Sequence, residues 1–139
     1  MAITQAICNS YKMEVLQGVH STADTYMCAL YTSLASLDKT ATAYTAVNEQ
    51  SDIGSSYVAG GVSLTGCTAN TSGDVAYLDF NDPAWANVTV KASGALIYNH
   101  SKGDKAVCVL AFGSSKASAN GNFTINLPVP GANAIVTIT

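Results

Sequence analysis

The residues that could do chemistry in this chain are few and widely spaced. Two histidines occur, His20 and His100, both in polar stretches. A Ser–His–Asp relay needs a histidine held between an exposed serine and an acid. His100-Ser101, with Asp104 nearby, comes nearest. Neighbours within one turn rarely make that geometry, and no GxSxG elbow accompanies them. Both histidines therefore read as solvated turn residues. Asp74, Asp79 and Asp82 cluster in sequence, and a hard cation such as calcium wants several oxygens at once. The dense alternation of an EF-hand loop is absent, so Asp79 reads as an outward strand residue and Asp82 as a turn cap. Two carboxylates could serve glycoside hydrolysis, but nothing else supports it. Gly60-Gly61 follows a polar stretch, not a strand entering a helix, so it does not read as a phosphate cradle.

Cys8, Cys28, Cys67 and Cys108 have no CxxC spacing, which argues against zinc. Cys8, Cys28 and Cys108 lie in apolar runs and read as small buried hydrophobes. A Cys28–Cys108 disulfide stays open on spacing, although a reducing compartment argues against it. Four N-x-S/T sequons begin at Asn70, Asn87, Asn99 and Asn122, as expected by chance in a chain rich in Asn, Ser and Thr. Trp85, Tyr98, Phe112 and Phe123 read as core aromatics. An exposed sugar-binding platform at Trp85 is the alternative weighed for the DPAW segment. No catalytic, cofactor-binding or metal-binding residue is assigned, and no cofactor is expected.

Composition points the same way. The chain has 139 residues, 48% of them hydrophobic, enough for one domain with a real core. Charged residues are only 11%, against about 25% in an ordinary soluble domain. All basic residues are lysines, and the net charge is −3. No basic stripe is available to neutralise phosphates, so nucleic-acid binding is not expected. No apolar run is long enough for a helical membrane span. The first residues lack the basic and continuous apolar regions of a signal peptide, which suggests assembly in a cytoplasm. Low charge suits a surface covered by partners, because charged groups are depleted in interface cores.

The elements that would position these residues are mostly strands. Residues 1–18 form the exception: Ile3, Ile7, Tyr11 and Val15 step by four, with Ala6 and Leu16 widening the stripe. This predicts an amphipathic helix over 4–17, capped by Thr4 and stopped at Gly18. Residues 19–61 hold a doubly buried strand over 26–31 and then a long excursion, 32–61, with short pieces near Ala41–Val47. Excursions this long are usually functional or mobile, so specific contacts are expected there. Residues 62–139 read as a regular β core. Its strands are expected near 62–64, 75–80, 88–98, 105–112, 123–127 and 134–138. Turns are expected at 70–74, 81–83, 99–104 and 113–121, and Pro128 and Pro130 end the 123–127 strand. Gly94 inside a strand signals a bulge or a close backbone approach. The sum is a mainly β single domain. It would be an antiparallel, jelly-roll-like β-sandwich of about seven or eight strands with an N-terminal α-helix.

The segments GALIYN (94–99), AVCVLAFG (106–113) and NGNFTINLP (120–128) give the chain a resemblance to small virion proteins of tailed bacteriophages. It extends through AYLDF (76–80), WANVTVKASGALIYN (85–99), ALYTS (29–33), TAYT (42–45) and YVAGGVSLTG (57–66), most of the chain. Similar proteins commonly carry Arg before GALIYN, where this chain has Ser93. The resemblance implies a non-enzymatic structural protein located in the virion. Capsid decoration or cement is the leading expectation, with the major capsid protein as partner and a homo-oligomer as the binding form. A neck or tail adaptor or fibre-attachment protein is the alternative, and a host-glycan-binding module a third.

Overall fold

A computed structural model describes residues 2–128, 131 and 133–138. The expected proline stop at Pro130 lies outside them. The chain is mainly β: two antiparallel sheets with one short helix near the N-terminus, a sandwich-like arrangement.

The elements are β1 (Ala6–Ile7), α1 (Asn9–Leu16), β2 (Tyr26–Tyr31), β3 (Val62–Ser63), β4 (Thr68–Ser72), β5 (Val75–Asp79), β6 (Ala84–Asn99), β7 (Lys105–Thr124) and β8 (Val136–Ile138). The larger sheet runs β1-β7-β6-β2-β3 and the smaller β4-β5-β8. At the centre of the larger sheet, β2, β6 and β7 bury nearly every residue from 94 to 99 and 106 to 110, which explains their unbroken apolar runs. The smaller sheet packs Leu78 and Val136 toward Tyr11 and Tyr26, around a cavity of about 170 Å³.

Gly94 does what a strand glycine suggests. The β6–β7 register shifts between Ala92 and Gly94. A Cβ at Gly94 would sit 2.6 Å from the Leu110 carbonyl oxygen and 2.7 Å from Ile3. The bulge therefore lets the N-terminal segment lie close against the β6–β7 ladder.

The predicted helix over 4–17 is corrected to Asn9–Leu16. Ala6–Ile7 instead pairs with Cys108–Val109, and Ile3 bridges Leu37. Apolar residues at 3 and 7 satisfy a two-residue period as well as a four-residue one, and the apolar edge of β7 takes Ile7 while Leu37 takes Ile3. Cys8 holds the N-cap position with no side-chain bond. At the other end the stop at Gly18 is present: Gly18 N–H donates to the Val15 carbonyl (3.1 Å) and Val19 N–H to that of Glu14 (3.0 Å). This is the Schellman pattern. Leu16 does not widen a buried stripe; it is 90% exposed.

The polar stretch 113–121 is not a turn. It continues β7, paired against the outer half of β6 from Val88 to Ala92. Its Gly, Ser, Lys and Asn reflect a solvent-facing ribbon, and bulges in the ladder absorb its irregular period. Strand 123–127 shortens to the end of β7. Beyond it, Ile125 N–H donates to the Pro83 carbonyl (3.0 Å) and Leu127 N–H to Asp82 Oδ1 (2.9 Å). The expected turn at 70–74 tightens to Gly73-Asp74 between β4 and β5. Near Ala41–Val47 there is only a single bridge, Ala43 to Lys105.

Candidate functional site

The residues first considered for chemistry do not converge. His100 is exposed and hydrogen-bonded through Nδ1 to Asp104 Oδ1 (2.7 Å), while Ser101 Oγ accepts the Thr25 N–H (2.8 Å). The serine is thus committed to the backbone and not to the imidazole.

His20 is not a solvated turn residue; its side chain is 2% exposed. It sits against the Tyr11 ring, with centroids 4.7 Å apart, and its Nε2 lies 2.9 Å from Glu14 Oε1. On its other side Nδ1 lies 2.9 Å from Nδ2 of the fully buried Asn99. Asn99 Nδ2 also donates to Asp24 Oδ2 (2.8 Å), and its Oδ1 accepts the Ser101 N–H (3.1 Å). Those two partners fix the amide orientation, so Nδ1 must accept and Nε2 must donate to Glu14. Lys102 closes the chain by donating to both Asp24 oxygens (2.8 and 2.9 Å). The Asn99 hydrogen bond, then Lys102, hold the Asp24 carboxyl down at about 2. The network ties the end of α1 and the 19–25 connection to the β6–β7 turn.

The cysteines are free thiols. Cys28 and Cys108 both pair with Ile97, from opposite sides. They are therefore two strands apart, roughly 9–10 Å, beyond disulfide reach. Burial pushes Cys8 and Cys67 up to about 11 and Cys28 to about 12, and raises Cys108 as well. Thiols held protonated at neutral pH are poor nucleophiles and poor ligands.

Among the described residues no group of three His, Cys, Asp or Glu side chains could hold a metal ion. Asp79 does not face outward as expected, because its Oδ1 is buried. Asp82 caps no turn of its own; it pins Leu127 across the fold. Trp85 offers no platform for a sugar. It is 4% exposed and packs between Tyr57 and Phe123.

The excursion 32–61 holds an arrangement the sequence reading did not single out. Glu49 receives hydrogen bonds from Tyr44 Oη, from Tyr57 Oη (2.6 Å) and from Gly60 N–H (2.7 Å). Tyr57 is buried and also accepts the Leu30 N–H (3.0 Å), linking the hub to β2. Tyr98 Oη donates to the Gly60 carbonyl (2.6 Å), stacks on Tyr44 at 4.8 Å and is pushed up to about 12 by burial. Gln50 Oε1 accepts the Lys91 N–H (2.9 Å) and Ser55 Oγ that of Thr89 (3.2 Å), so side chains cover the edge of β6 where β2 has ended. One sequence signal pointed here: Glu49 is one of only two glutamates, flanked by Tyr44 and Tyr57.

Among the described residues the large exposed hydrophobics fall in two regions. Leu34, Val47, Ile53 and Val58 project from the excursion; Met13, Leu16 and Ile138 surround the outer side of α1 and β8. The second region borders a groove of about 400 Å³ lined by Ile7, Tyr11, Lys12, Val15, Leu16 and Ile138. No family model, curated protein or solved structure matches this chain.

Proposed function

We propose that this chain is a non-enzymatic structural protein of a bacteriophage virion that decorates and cements the capsid, binding the major capsid protein as a homo-oligomer. The observation that carries the assembly part is the pair of exposed apolar regions, on the excursion and beside α1. The virion part rests on the sequence resemblance. Cement action needs only modest apolar area repeated over many copies. Each contact gains about 25 cal/mol per Å² before association costs are subtracted.

Quantifying the chain in purified virions tests the reading. Decoration requires on the order of hundreds of copies per particle, as the symmetry of a capsid lattice demands. About a dozen copies or fewer would overturn decoration and favour the neck or tail adaptor. Absence from the particle would overturn both.

A further inference from the structure

We propose that the turn carrying Ile53 on one copy of this chain docks into the groove beside α1 on the next copy, joining copies head to tail. This deepens the homo-oligomer reading above by naming both halves of the contact.

The two surfaces fit in shape. Ile53 stands at the tip of a turn closed by the Ser55 N–H to Asp52 carbonyl contact (3.4 Å), and 88% of it is exposed. It is a convex apolar knob. The groove between α1 and β8 is concave, with Leu16 on its rim and Ile7 and Val15 within. An apolar cavity of about 150 Å³ already accepts a benzene-sized group. A groove of about 400 Å³ therefore has room for an isoleucine side chain.

They fit in charge as well. α1 carries two charged residues, and Glu14 is buried against His20, which leaves Lys12 at the groove. Between residues 45 and 58 the charges are Glu49 and Asp52. Glu49 is occupied by Tyr44, Tyr57 and Gly60, which leaves Asp52 beside the knob. Each surface thus carries an outward charge of opposite sign next to its apolar element, with the exposed Lys91 beside Gln50 and Ser51. A second copy satisfies both with no further partner.

Knob and groove are different patches of one chain, so the contact is heterologous. It closes into a ring when the rotation between copies allows it. Such rings are the form in which a decoration protein can match a symmetry axis of a shell.

Sedimentation velocity on purified full-length chain is the test. The expected result is reversible, concentration-dependent association. Ile53→Asp and Leu16→Asp should each weaken it about 100-fold, with far-UV circular dichroism unchanged. Mixing these two variants should produce a dimer that neither forms alone, because one keeps its groove and the other its knob. Lys12→Asp and Asp52→Lys should each weaken association about 5-fold, and the double variant should recover it. A wild-type monomer up to about 100 μM, a mixture that fails to pair, or a charge swap without recovery would each overturn the contact. The virion assignment is judged separately by copy number, so a monomeric protein found at high copy would remove this contact and leave that assignment standing.

Discussion

Replacing Glu49 probes how the excursion is held. Its carboxylate accepts three hydrogen bonds, from Tyr44, Tyr57 and the Gly60 amide. A hydrogen bond to a charged group is worth about 1.5–3 kcal/mol, and orphaning a buried donor costs about 1–3 kcal/mol. Glu49 is only half-buried, so water can reach part of the vacated site, whereas the Tyr57 hydroxyl is buried and cannot be rehydrated without opening the segment. The bonds share one acceptor and do not add. We therefore expect Glu49→Ala to cost about 3–4 kcal/mol, and Glu49→Gln about half as much because it keeps one oxygen. Urea unfolding measures both. A double-mutant cycle with Tyr57→Phe should give a coupling of about 1.5–2 kcal/mol. A Glu49→Ala loss below about 1 kcal/mol would refute the reasoning: desolvation of the carboxylate would then cancel what its bonds contribute.

Three further predictions concern the backbone and the ionisable groups. Gly61 has φ +88°, and a Cβ there would lie 1.8 Å from the Cys28 carbonyl oxygen, so Gly61→Ala should cost about 3–5 kcal/mol. Gly121→Ala, whose nearest neighbour would be 3.8 Å away, is the control and should stay within about 1 kcal/mol; equal effects in urea unfolding would refute the contrast. Asp24 is held down at about 2, so its contribution to stability is present above its unfolded value of about 4 and is lost as pH falls from there toward 2. Stability curves of wild type and Asp24→Asn should converge over that window, and a gap as wide at pH about 2 as at pH about 7 would sink the assignment. Burial raises six tyrosines, Tyr11 and Tyr98 to about 12 and Tyr26, Tyr31, Tyr44 and Tyr57 further. Their stabilising effect is complete below about pH 10 and lost above it, so phenolate absorbance should rise in one step together with loss of circular dichroism. A gradual rise with intact circular dichroism would contradict that burial.

Where the chain is apolar and long-paired, its fold was legible. Tyr26–Tyr31 and Ala106–Leu110 are buried on both faces and read directly as central strands. The turn at 99–104 also announced itself through Asn99 and Gly103. Legibility failed where a tertiary partner decided the outcome. Residues 3–7 follow a helical stripe until β7 takes Ala6–Ile7 as a strand and Leu37 takes Ile3 in a bridge. Residues 113–121 have turn composition because their ribbon faces water, not because the chain reverses. His20 looked solvated because nothing in its neighbourhood reveals Asn99, which lies 79 residues away. Trp85, by contrast, read as a core aromatic and is one, packed against Phe123 across the β6–β7 ladder.

The internal networks change the meaning of the low charge. Charged residues are only 11% of the chain, and several of them are not available to partners. Glu14 and Glu49 are both tied to interior partners, and Asp24 is shared by Asn99 and Lys102. The charge that a partner meets is therefore sparser than composition alone conveys. Among the described residues seven large hydrophobics, Met13, Leu16, Leu34, Val47, Ile53, Val58 and Ile138, stand out on that surface. Interfaces that exclude water have this character, with few charges at their centre and apolar anchors between. Glu49, Glu14 and Asp24 position tyrosines, a histidine and an asparagine, and the large exposed hydrophobic side chains face outward.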